Sequence, residues 1–379
     1  MNIDDTPTAN GQRGQSSANQ QPLQKTRKRS RKIYWAAGVV VFAVLAAVTP
    51  VDYVVERPGI VLNTLGELNS GEPNAKHMDF VQVKDAADAA NTGAFNLVAV
   101  NSFGNPSSKP TLASLIPALL DPAQDIVPMS QIYPENTNFD DYLQQQQAAM
   151  TSAQQTAAVA ALNYLGANIP VKFEVAGFFD NSKFIDLLKE GDQILTVNGK
   201  PVTSAEQISQ IINSSKQANT KVEVLRAGEK LSVTAETVEV EGRKLIGIFT
   251  KTNFDAPEEV SYAIEDIGGP SAGAVFALAV LDKKLPEDLT HGHNITVTGT
   301  VDTAGTIGAI GGLKQKIYAA QRKGSDLMLF PATNCRDLPQ DLPAGITLRA
   351  VKNLDEALTA IRDFANGVNA ESEILGCEV

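Results

Sequence analysis

Polar and apolar residues are sharply segregated at the start of the chain. Residues 1–32 are rich in Gln, Ser, Asn and Thr and show no apolar periodicity, which predicts a disordered tail. The run from Ile33 to Val51 contains no charged residue. As a helix it would be about 28 Å long, close to the hydrocarbon thickness of a bilayer. The pattern therefore predicts a transmembrane helix over 33–51.

Charge gives this helix a direction. Tyr34 and Trp35 lie next to a basic cluster, as expected at a membrane interface. Basic flanks stay in the cytoplasm, so we expect a cytoplasmic N-terminal tail, a single-pass anchor in the cell membrane and an extracytoplasmic remainder. A cleaved signal peptide and a buried core helix are the alternatives for the same run. The basic residues of the tail are Arg13, Lys25, Arg27, Lys28, Arg29, Arg31 and Lys32.

Residues 52–164 show mixed periodicity. Residues 93–100 have the pattern of a strand, and 112–120 that of a short helix interrupted by a proline. A longer helix rich in Gln and Ala is predicted from about 139 to 165. We expect this segment to be an α/β part that packs against the C-terminal domain.

From 165 to 240 the pattern changes to short strands with one helix. The run from Gly191 to Val202 alternates apolar and polar residues and turns at Asn-Gly. It resembles the signature of PDZ domains, which bind an extended peptide as an added strand. The resemblance implies a groove between Val171–Val175 and the helix, unless the domain only packs on its neighbour and binds nothing. The peptide-binding residues implied are Leu165, Gly166, Gln207, Ile208 and Ile211.

The candidate chemistry begins at Ser271. The residues from Ala272 to Leu281 are apolar almost all round, which predicts a buried helix. Glycine and proline immediately before Ser271 favour a tight turn that exposes its hydroxyl at the helix N-terminus. Backbone N–H groups at such a position offer a site for a developing oxyanion.

A serine nucleophile needs a base, and Lys316 is the candidate. Gly311-Gly312 indicates a helix start, so Lys316 lies near the positive end of the helix dipole. A lysine acts as a base only when it is neutral, which desolvation favours. Lys314 is expected to point towards solvent instead. The helical neighbours of Lys316 are apolar or small: Leu313, Ala319 and Ala320.

These motifs together resemble the proteolytic domain of the Lon-type serine proteases, over about residues 240 to 365. Pro270–Gly273 matches the nucleophile motif, and Gly311–Lys316 the lysine motif. Thr298 stands where the family has a threonine near the lysine. The resemblance implies a serine endopeptidase with a Ser271–Lys316 dyad and Thr298 as an auxiliary residue. No third catalytic acid is assigned, because Gly268-Gly269 replaces the Asp-Gly of longer Lon proteases.

The sequence disfavours other catalytic chemistries. The histidines, His77, His291 and His293, are not accompanied by a Gly-x-Ser-x-Gly elbow, so a histidine triad is disfavoured. His291 and His293 are expected in a solvated loop, and no metal site is predicted. An inactive relative that keeps the motifs remains an alternative. The remaining chemistry concerns Cys335 and Cys377, which we expect to form a disulfide in an oxidising compartment.

The predicted fold class is α+β multidomain: a single N-terminal transmembrane helix, a PDZ-like β-rich domain over 165–240 and a Lon-type proteolytic α+β domain over 241–368. Residues 369–379 are a tail. This arrangement resembles the membrane-anchored PDZ–Lon-like peptidases of Gram-positive bacteria.

The function expected from this arrangement is cleavage of extracytoplasmic peptides or unfolded proteins without ATP, because the chain has no Gly-x-x-x-x-Gly-Lys-Ser/Thr phosphate loop. No cofactor is expected, and the net charge of −11 argues against nucleic acid. The resemblance is also compatible with a ring-shaped homo-oligomer. A non-catalytic PDZ adaptor and an enzyme that cuts only its own chain are the alternatives.

Overall fold

The structure is a computed structural model that describes residues 24–68, 78–87, 92–133, 138–202, 205–240, 243–254, 259–264, 267–368 and 376–377. Residues 1–23 of the predicted disordered tail, His77 and most of the predicted 369–379 tail lie outside these ranges.

The described residues form helices and strands along most of the chain. The helices are α1 (Gln24–Val48), α2 (Ile116–Leu120), α3 (Met129–Ile132), α4 (Phe139–Tyr164), α5 (Ala205–Ser214), α6 (Gly273–Lys284), α7 (Leu313–Lys323) and α8 (Leu354–Ala365), with 3₁₀ helices at Leu112–Leu115 and Ala332–Asp337. The strands are β1 (Tyr53–Asn63), β2 (Glu67–Leu68), β3 (Met78–Asp79), β4 (Val81–Val83), β5 (Ala94–Phe103), β6 (Asp125–Pro128), β7 (Val171–Phe178), β8 (Gln193–Val197), β9 (Lys200–Pro201), β10 (Asn219–Arg226), β11 (Glu229–Glu236), β12 (Val238–Val240), β13 (Arg243–Leu245), β14 (Ile248–Phe254), β15 (Val260–Tyr262), β16 (Asn294–Val297), β17 (Thr300–Val301), β18 (Ile307–Gly308), β19 (Leu327–Pro331) and β20 (Thr347–Val351).

A six-stranded mixed sheet joins distant parts of the chain in the order β20-β19-β16-β5-β1-β6. β16 runs parallel to β19 on one side and to β5 on the other, with Val297 opposite Leu97. The segment 52–164 therefore supplies three strands of the sheet to which the C-terminal region supplies the other three. The segment 52–164 and the C-terminal region thus share one sheet, whereas the sequence predicted only that the two would pack against each other.

Helices cover both faces of this sheet, as expected for strands whose residues are apolar on both sides. One face packs against α4, α6 and α8 in a large apolar cluster. The other face packs against α7, whose Ile317 is fully buried with Val98. Small residues on α4, such as Ala157 and Ala160, allow that helix to lie against α6, whose residues from Gly273 to Asp282 are all buried.

A second sheet forms a separate unit with its own core. Its order is β11-β10-β8-β7-β14, with β9 paired to β8, and α5 packs on it through Ile208 and Ile212. The last strand, β14, lies beyond residue 240, in the stretch predicted to belong to the proteolytic domain. The chain thus leaves the first sheet after α4 and returns to it with α6.

The predicted transmembrane helix is wrong, because the described residues contain no helix long and apolar enough to cross a membrane. Helix α1 begins at Gln24, within the segment expected to be disordered, and its first turns carry the basic cluster. It ends at Val48, before Pro50, so its uncharged part from Ile33 is only about 24 Å long, against a hydrocarbon core of about 30 Å. The transmembrane helix is therefore removed from the predicted fold class. The predicted single-pass membrane localisation rested on the same helix and is also wrong.

Candidate active site

The site forms where the central strand β16 stops. β16 ends at Val297, while its neighbour β5 continues to Phe103, so residues 98–103 have a strand partner on one side only. The N-terminus of α6 reaches this opening from one face of the sheet, and α7 reaches it from the other. The candidate residues Ser271, Thr298 and Lys316 meet in that gap.

The three side chains form one hydrogen-bonded cluster. The Nζ of Lys316 lies 3.0 Å from the Oγ of Ser271 and 3.2 Å from the Oγ1 of Thr298. The hydroxyl of Thr298 donates to the backbone oxygen of Ser271 over 3.2 Å. Thr298 therefore contacts both members of the dyad and fixes the amine against the serine.

Backbone contacts hold the turn that carries Ser271. The N–H of Gly299 donates to the carbonyl of Ser271, and the N–H of Ala274 donates to the carbonyl of Gly299. A Cβ at Gly273 would lie 2.8 Å from the backbone nitrogen of Val301, so only glycine allows α6 to start this close to β17. The small residues around Ser271 thus allow α6 and β17 to pack closely against each other.

Burial sets the chemistry of the lysine. Lys316 is 3% exposed. Desolvation disfavours its charged form and lowers the pKa of the amine to about 8, although the negative charge of Glu56 acts in the opposite direction. A large fraction of the molecules therefore holds a neutral Lys316 amine at mildly alkaline pH, beside a hydroxyl that this amine can deprotonate.

Lys314 has a different role from Lys316. Its Nζ lies 2.7 Å from Oδ1 of Asp125, on β6, and the Nε2 of the buried Gln315 donates to the other oxygen over 2.8 Å. The expectation that Lys314 points into solvent is therefore corrected, since it ties the start of α7 to β6. It has no contact with Ser271, whereas Lys316 does.

A cavity of about 690 Å³ opens onto the dyad. Ser271 and Lys316 both line it, and the free side of β5 forms one wall through residues 98–102. The other linings are mainly apolar or small, including Ile60 and Met150. The space therefore suits an extended peptide whose backbone lies along a strand edge.

Sequence reasoning missed two acidic residues at this site, Glu56 and Asp125. Glu56 lines the cavity and lies opposite Asp125 in the β1–β6 register. Burial and the neighbouring Asp125 raise the pKa of the Glu56 carboxyl. In the sequence, Glu56 stands out only as a carboxylate directly after the apolar pair Val54-Val55. The register of the sheet is needed to show that it lines this cavity.

The structure restricts the predicted peptide groove on the second sheet. One side of β7 pairs with β14 along Val171–Phe178, and its other side pairs with β8 only at Glu174. Among the described residues, the part of Val171–Val175 that has a side without a strand partner is therefore Val171–Phe173. Ile208 is 5% exposed and belongs to the core of the unit, whereas Gln207 and Ile211 are half-buried. The described strand with an unpaired side next to this region is β14.

Leu165 and Gly166 have another structural role. They terminate α4, where the N–H of Gly166 donates to Asn163 and the N–H of Ala167 to Leu162. This is a helix C-cap in which glycine adopts a positive φ of 91°. The structure gives these two residues a helix-terminating role, and their part in peptide binding stays a prediction.

The remaining candidates lie away from the dyad. Neither His291 nor His293 lines the cavity; His291 is exposed and His293 stacks edge-on against Phe364 at 5.0 Å. Cys335 and Cys377 form a disulfide with a Cα–Cα distance of 5.7 Å. Within the described ranges, no group of three or more His, Cys, Asp or Glu residues is arranged to hold a metal ion.

Comparison with known proteins matches residues 263–362 to the Lon protease (S16) C-terminal proteolytic domain. The Lon protease of Buchnera aphidicola subsp. Schizaphis graminum is 37% identical over 93 residues, which are 24% of this chain and 12% of that protein. The archaeal Lon protease of Methanocaldococcus jannaschii is 34% identical over 113 residues, 30% of this chain and 17% of that protein. This chain thus spans less than a fifth of the length of these curated relatives.

Among solved structures, the PDZ domain of an SdrC-like protein from Listeria monocytogenes is 21% identical and covers 21% of this chain and 86% of its own. The TM-score of this match is 0.19, which does not establish a shared fold, so the PDZ assignment stays a prediction. The match to Lon proteases confirms the predicted enzyme class. Residues 263–362 are similar to the Lon protease (S16) C-terminal proteolytic domain, which supports a serine endopeptidase.

Proposed function

We propose that this chain is an ATP-independent serine endopeptidase in which Ser271 is the nucleophile and Lys316 the general base. The observation that carries the proposal is the 3.0 Å contact between the buried amine of Lys316 and the hydroxyl of Ser271. The chain contains no phosphate-binding loop motif, which supports cleavage without ATP. Peptides and unfolded protein segments are the proposed substrates.

Catalysis proceeds in two halves. Neutral Lys316 takes the proton of Ser271 as the Oγ attacks the scissile carbonyl carbon, and the ammonium then gives this proton to the leaving amine. Water next attacks the acyl-enzyme, with Lys316 again accepting the proton and returning it to Ser271. The new carboxylic acid then leaves. Thr298 keeps the amine in line with the hydroxyl throughout.

Backbone groups at the start of α6 bind the oxyanion. Within the described part of the chain, the N–H groups of Ser271 and Ala272 donate no hydrogen bond, and α6 has no side-chain cap. Free donors at a helix N-terminus stabilise negative charge. We assign the oxyanion hole to these two N–H groups.

The substrate binds in extended form along residues 98–102 of β5. This wall of the cavity has unpaired backbone groups because β16 ends at Val297. Main-chain hydrogen bonds to such an edge accept many side-chain sequences. The second sheet positions longer substrates, and we assign their docking to the outer side of β14, which has no strand partner among the described residues.

The test uses the full chain and an unfolded test protein without ATP, with products read by mass spectrometry. Ser271→Ala and Lys316→Ala should each lower the cleavage rate by at least about 10³-fold while far-UV circular dichroism is unchanged. Lys314→Ala is the matched control. It should keep most of the activity, because Lys314 contacts Asp125 and not the serine.

Labelling by a serine-reactive phosphonate separates this proposal from the adaptor alternative. The wild type should be labelled at Ser271, and Lys316→Ala should be labelled much more slowly. Full activity in Lys316→Ala with loss in Lys314→Ala would reverse the assignment of the base. Absence of both cleavage and labelling in the wild type would favour a non-catalytic adaptor.

A further inference from the structure

Glu56 brings a carboxylate into the catalytic cavity. It lies on β1, where its partners across the sheet are Ser102 on β5 and Asp125 on β6. Its side chain is half-buried and lines the same cavity as Ser271 and Lys316. The catalytic steps above do not use it.

Within the described residues, the Glu56 carboxylate has no hydrogen-bond or ion-pair partner, although each neighbouring charge has one. Asp125 is held by Lys314 and Gln315. The amine of Lys316 is held by Ser271 and Thr298. A half-buried carboxylate without a partner is costly, and a cation that entered the cavity would relieve that cost.

The charge of the cavity also points to a cation. Glu56 and Lys316 are the charged residues among its described lining, and the rest is apolar or uncharged, including Leu97, Ile132 and Tyr142. When Lys316 is neutral, as catalysis requires, the lining carries the single negative charge of Glu56. A substrate with a cationic side chain on an apolar stem matches such a cavity.

We propose that Glu56 is a specificity-determining residue that binds a lysine or arginine side chain of the substrate close to the scissile bond. The proposal rests on the proposed endopeptidase function and names its substrate class. The guanidinium or ammonium donates to the Glu56 carboxylate, while the substrate backbone lies along β5.

Binding of this cation also favours the neutral form of Lys316. The negative charge of Glu56 raises the pKa of Lys316 and so opposes the base. The other titratable groups that act on Glu56 are Asp125 from β6 and Tyr142 from α4, and Lys314 from α7 is bound to Asp125. A substrate cation paired with Glu56 cancels its field, so substrates that carry the cation are cleaved at lower pH than substrates that lack it.

The first experiment maps cleavage sites in an unfolded test protein with wild type, Glu56→Gln and Asp52→Asn, each as the full chain. Asp52 is an exposed carboxylate near the start of β1 that pairs with Lys109 and does not line the cavity, so its variant controls for net charge. Wild type and Asp52→Asn should show Lys or Arg enriched at one fixed distance from the cut. Glu56→Gln should lose this enrichment.

The second experiment uses two peptides that differ only by lysine or norleucine at that position. The ratio of their kcat/KM values should be about tenfold or more for wild type and near one for Glu56→Gln. Glu56→Asp should restore part of the ratio. The acid limb of the norleucine profile should move to lower pH in Glu56→Gln, which a purely structural role of Glu56 would not produce.

The outcomes separate the two levels of the proposal. Cleavage that depends on Ser271 and Lys316 but shows equal rates for both peptides overturns the role of Glu56 alone, and this wild-type comparison decides even if Glu56→Gln does not fold. Equal ratios in wild type and Glu56→Gln do the same. Absence of wild-type cleavage, or cleavage that persists in Ser271→Ala, overturns the endopeptidase function itself.

Discussion

At the scale of single residues, burial decides which of two lysines is a base. Lys314 and Lys316 are separated by one residue on α7. The amine of Lys314 forms an ion pair with Asp125, whereas burial lowers the pKa of the Lys316 amine. An ion pair stabilises the ammonium, whereas an apolar environment destabilises it. The same helix turn therefore holds one amine in an ion pair and one that can act as a proton acceptor.

The depressed pKa of Lys316 predicts the pH dependence of cleavage. The active form is the free amine, so kcat/KM for an uncharged peptide should rise about tenfold per unit below the pKa and level off above it. The midpoint of this rise should lie near pH 8, the value to which burial lowers the pKa of Lys316. Initial rates between pH 5.5 and about 10 measure it.

Circular dichroism over the same pH range is the control for unfolding. A midpoint near that of an ordinary lysine, about 10.4, would contradict desolvation of Lys316 in the working enzyme. The rate of phosphonate labelling of Ser271 can be measured over the same pH range without a peptide. If it rises with the same midpoint, the titrating group belongs to the enzyme and not to the substrate.

At the scale of elements, the start of α7 determines where Lys316 lies. Gly312 is its N-cap, with a left-handed φ of 64°, and a Cβ built there would lie 2.5 Å from the Cγ2 of Val100. Only glycine can adopt this left-handed backbone conformation and lie this close to Val100 without strain. The helix start thus packs directly on the β5 wall of the cavity.

Gly312→Ala should therefore destabilise the protein and misplace the base. The left-handed backbone and the overlap with Val100 together should lower the free energy of unfolding by about 2–4 kcal/mol. Because relief of the overlap moves α7 away from β5, kcat should also fall. Urea unfolding and peptide kinetics measure the two effects.

The adjacent Gly311 provides the matched control. A Cβ at Gly311 meets no atom within 4 Å, and its φ is not in the left-handed region. Gly311→Ala should change stability by less than about 1 kcal/mol. An equal loss in both variants would show that the contact with Val100 is not the cause.

Elements with strong periodicity could be predicted from the sequence, and those set by long-range pairing could not. The helices α4, α6 and α7 follow from apolar pattern and glycine positions, and the Ser271 and Lys316 motifs stand at helix starts. The end of α1 depends on Pro50 and on backbone contacts, such as the N–H of Val51 donating to Pro110. The pairing of β14 with β7 and the approach of Glu56 to the cavity arise from sheet register, which local sequence does not specify.

At the scale of the whole molecule, the disulfide ties the end of the described chain to the proteolytic domain. Cys335 and Cys377 are 42 residues apart and both pack against the cluster beneath α7. Removing a bridge of this span increases the entropy of the unfolded chain. The bridge is therefore expected to act on stability and not on chemistry.

Replacing both cysteines with alanine should lower the free energy of unfolding by about 2–4 kcal/mol. The kcat/KM of the folded variant should stay within about threefold of wild type, because neither sulfur lines the cavity. Urea unfolding of the variant and of the wild type with and without reductant tests this. If reduction of the wild type leaves its unfolding midpoint unchanged, the bridge does not stabilise the fold.

The divided first sheet has a consequence for how the protein is made. β16 pairs with β5 across about 200 residues of chain, including the whole second sheet, and loop closure over such a distance is slow. During synthesis β5 leaves the ribosome long before its parallel partner β16 exists, whereas the inserted sheet can form as soon as its own strands are made. The insertion is therefore expected to fold first and the first sheet last, although β1, β5 and β6 precede the insertion along the chain. A newly made chain therefore gains its proteolytic activity only when its final third has been translated.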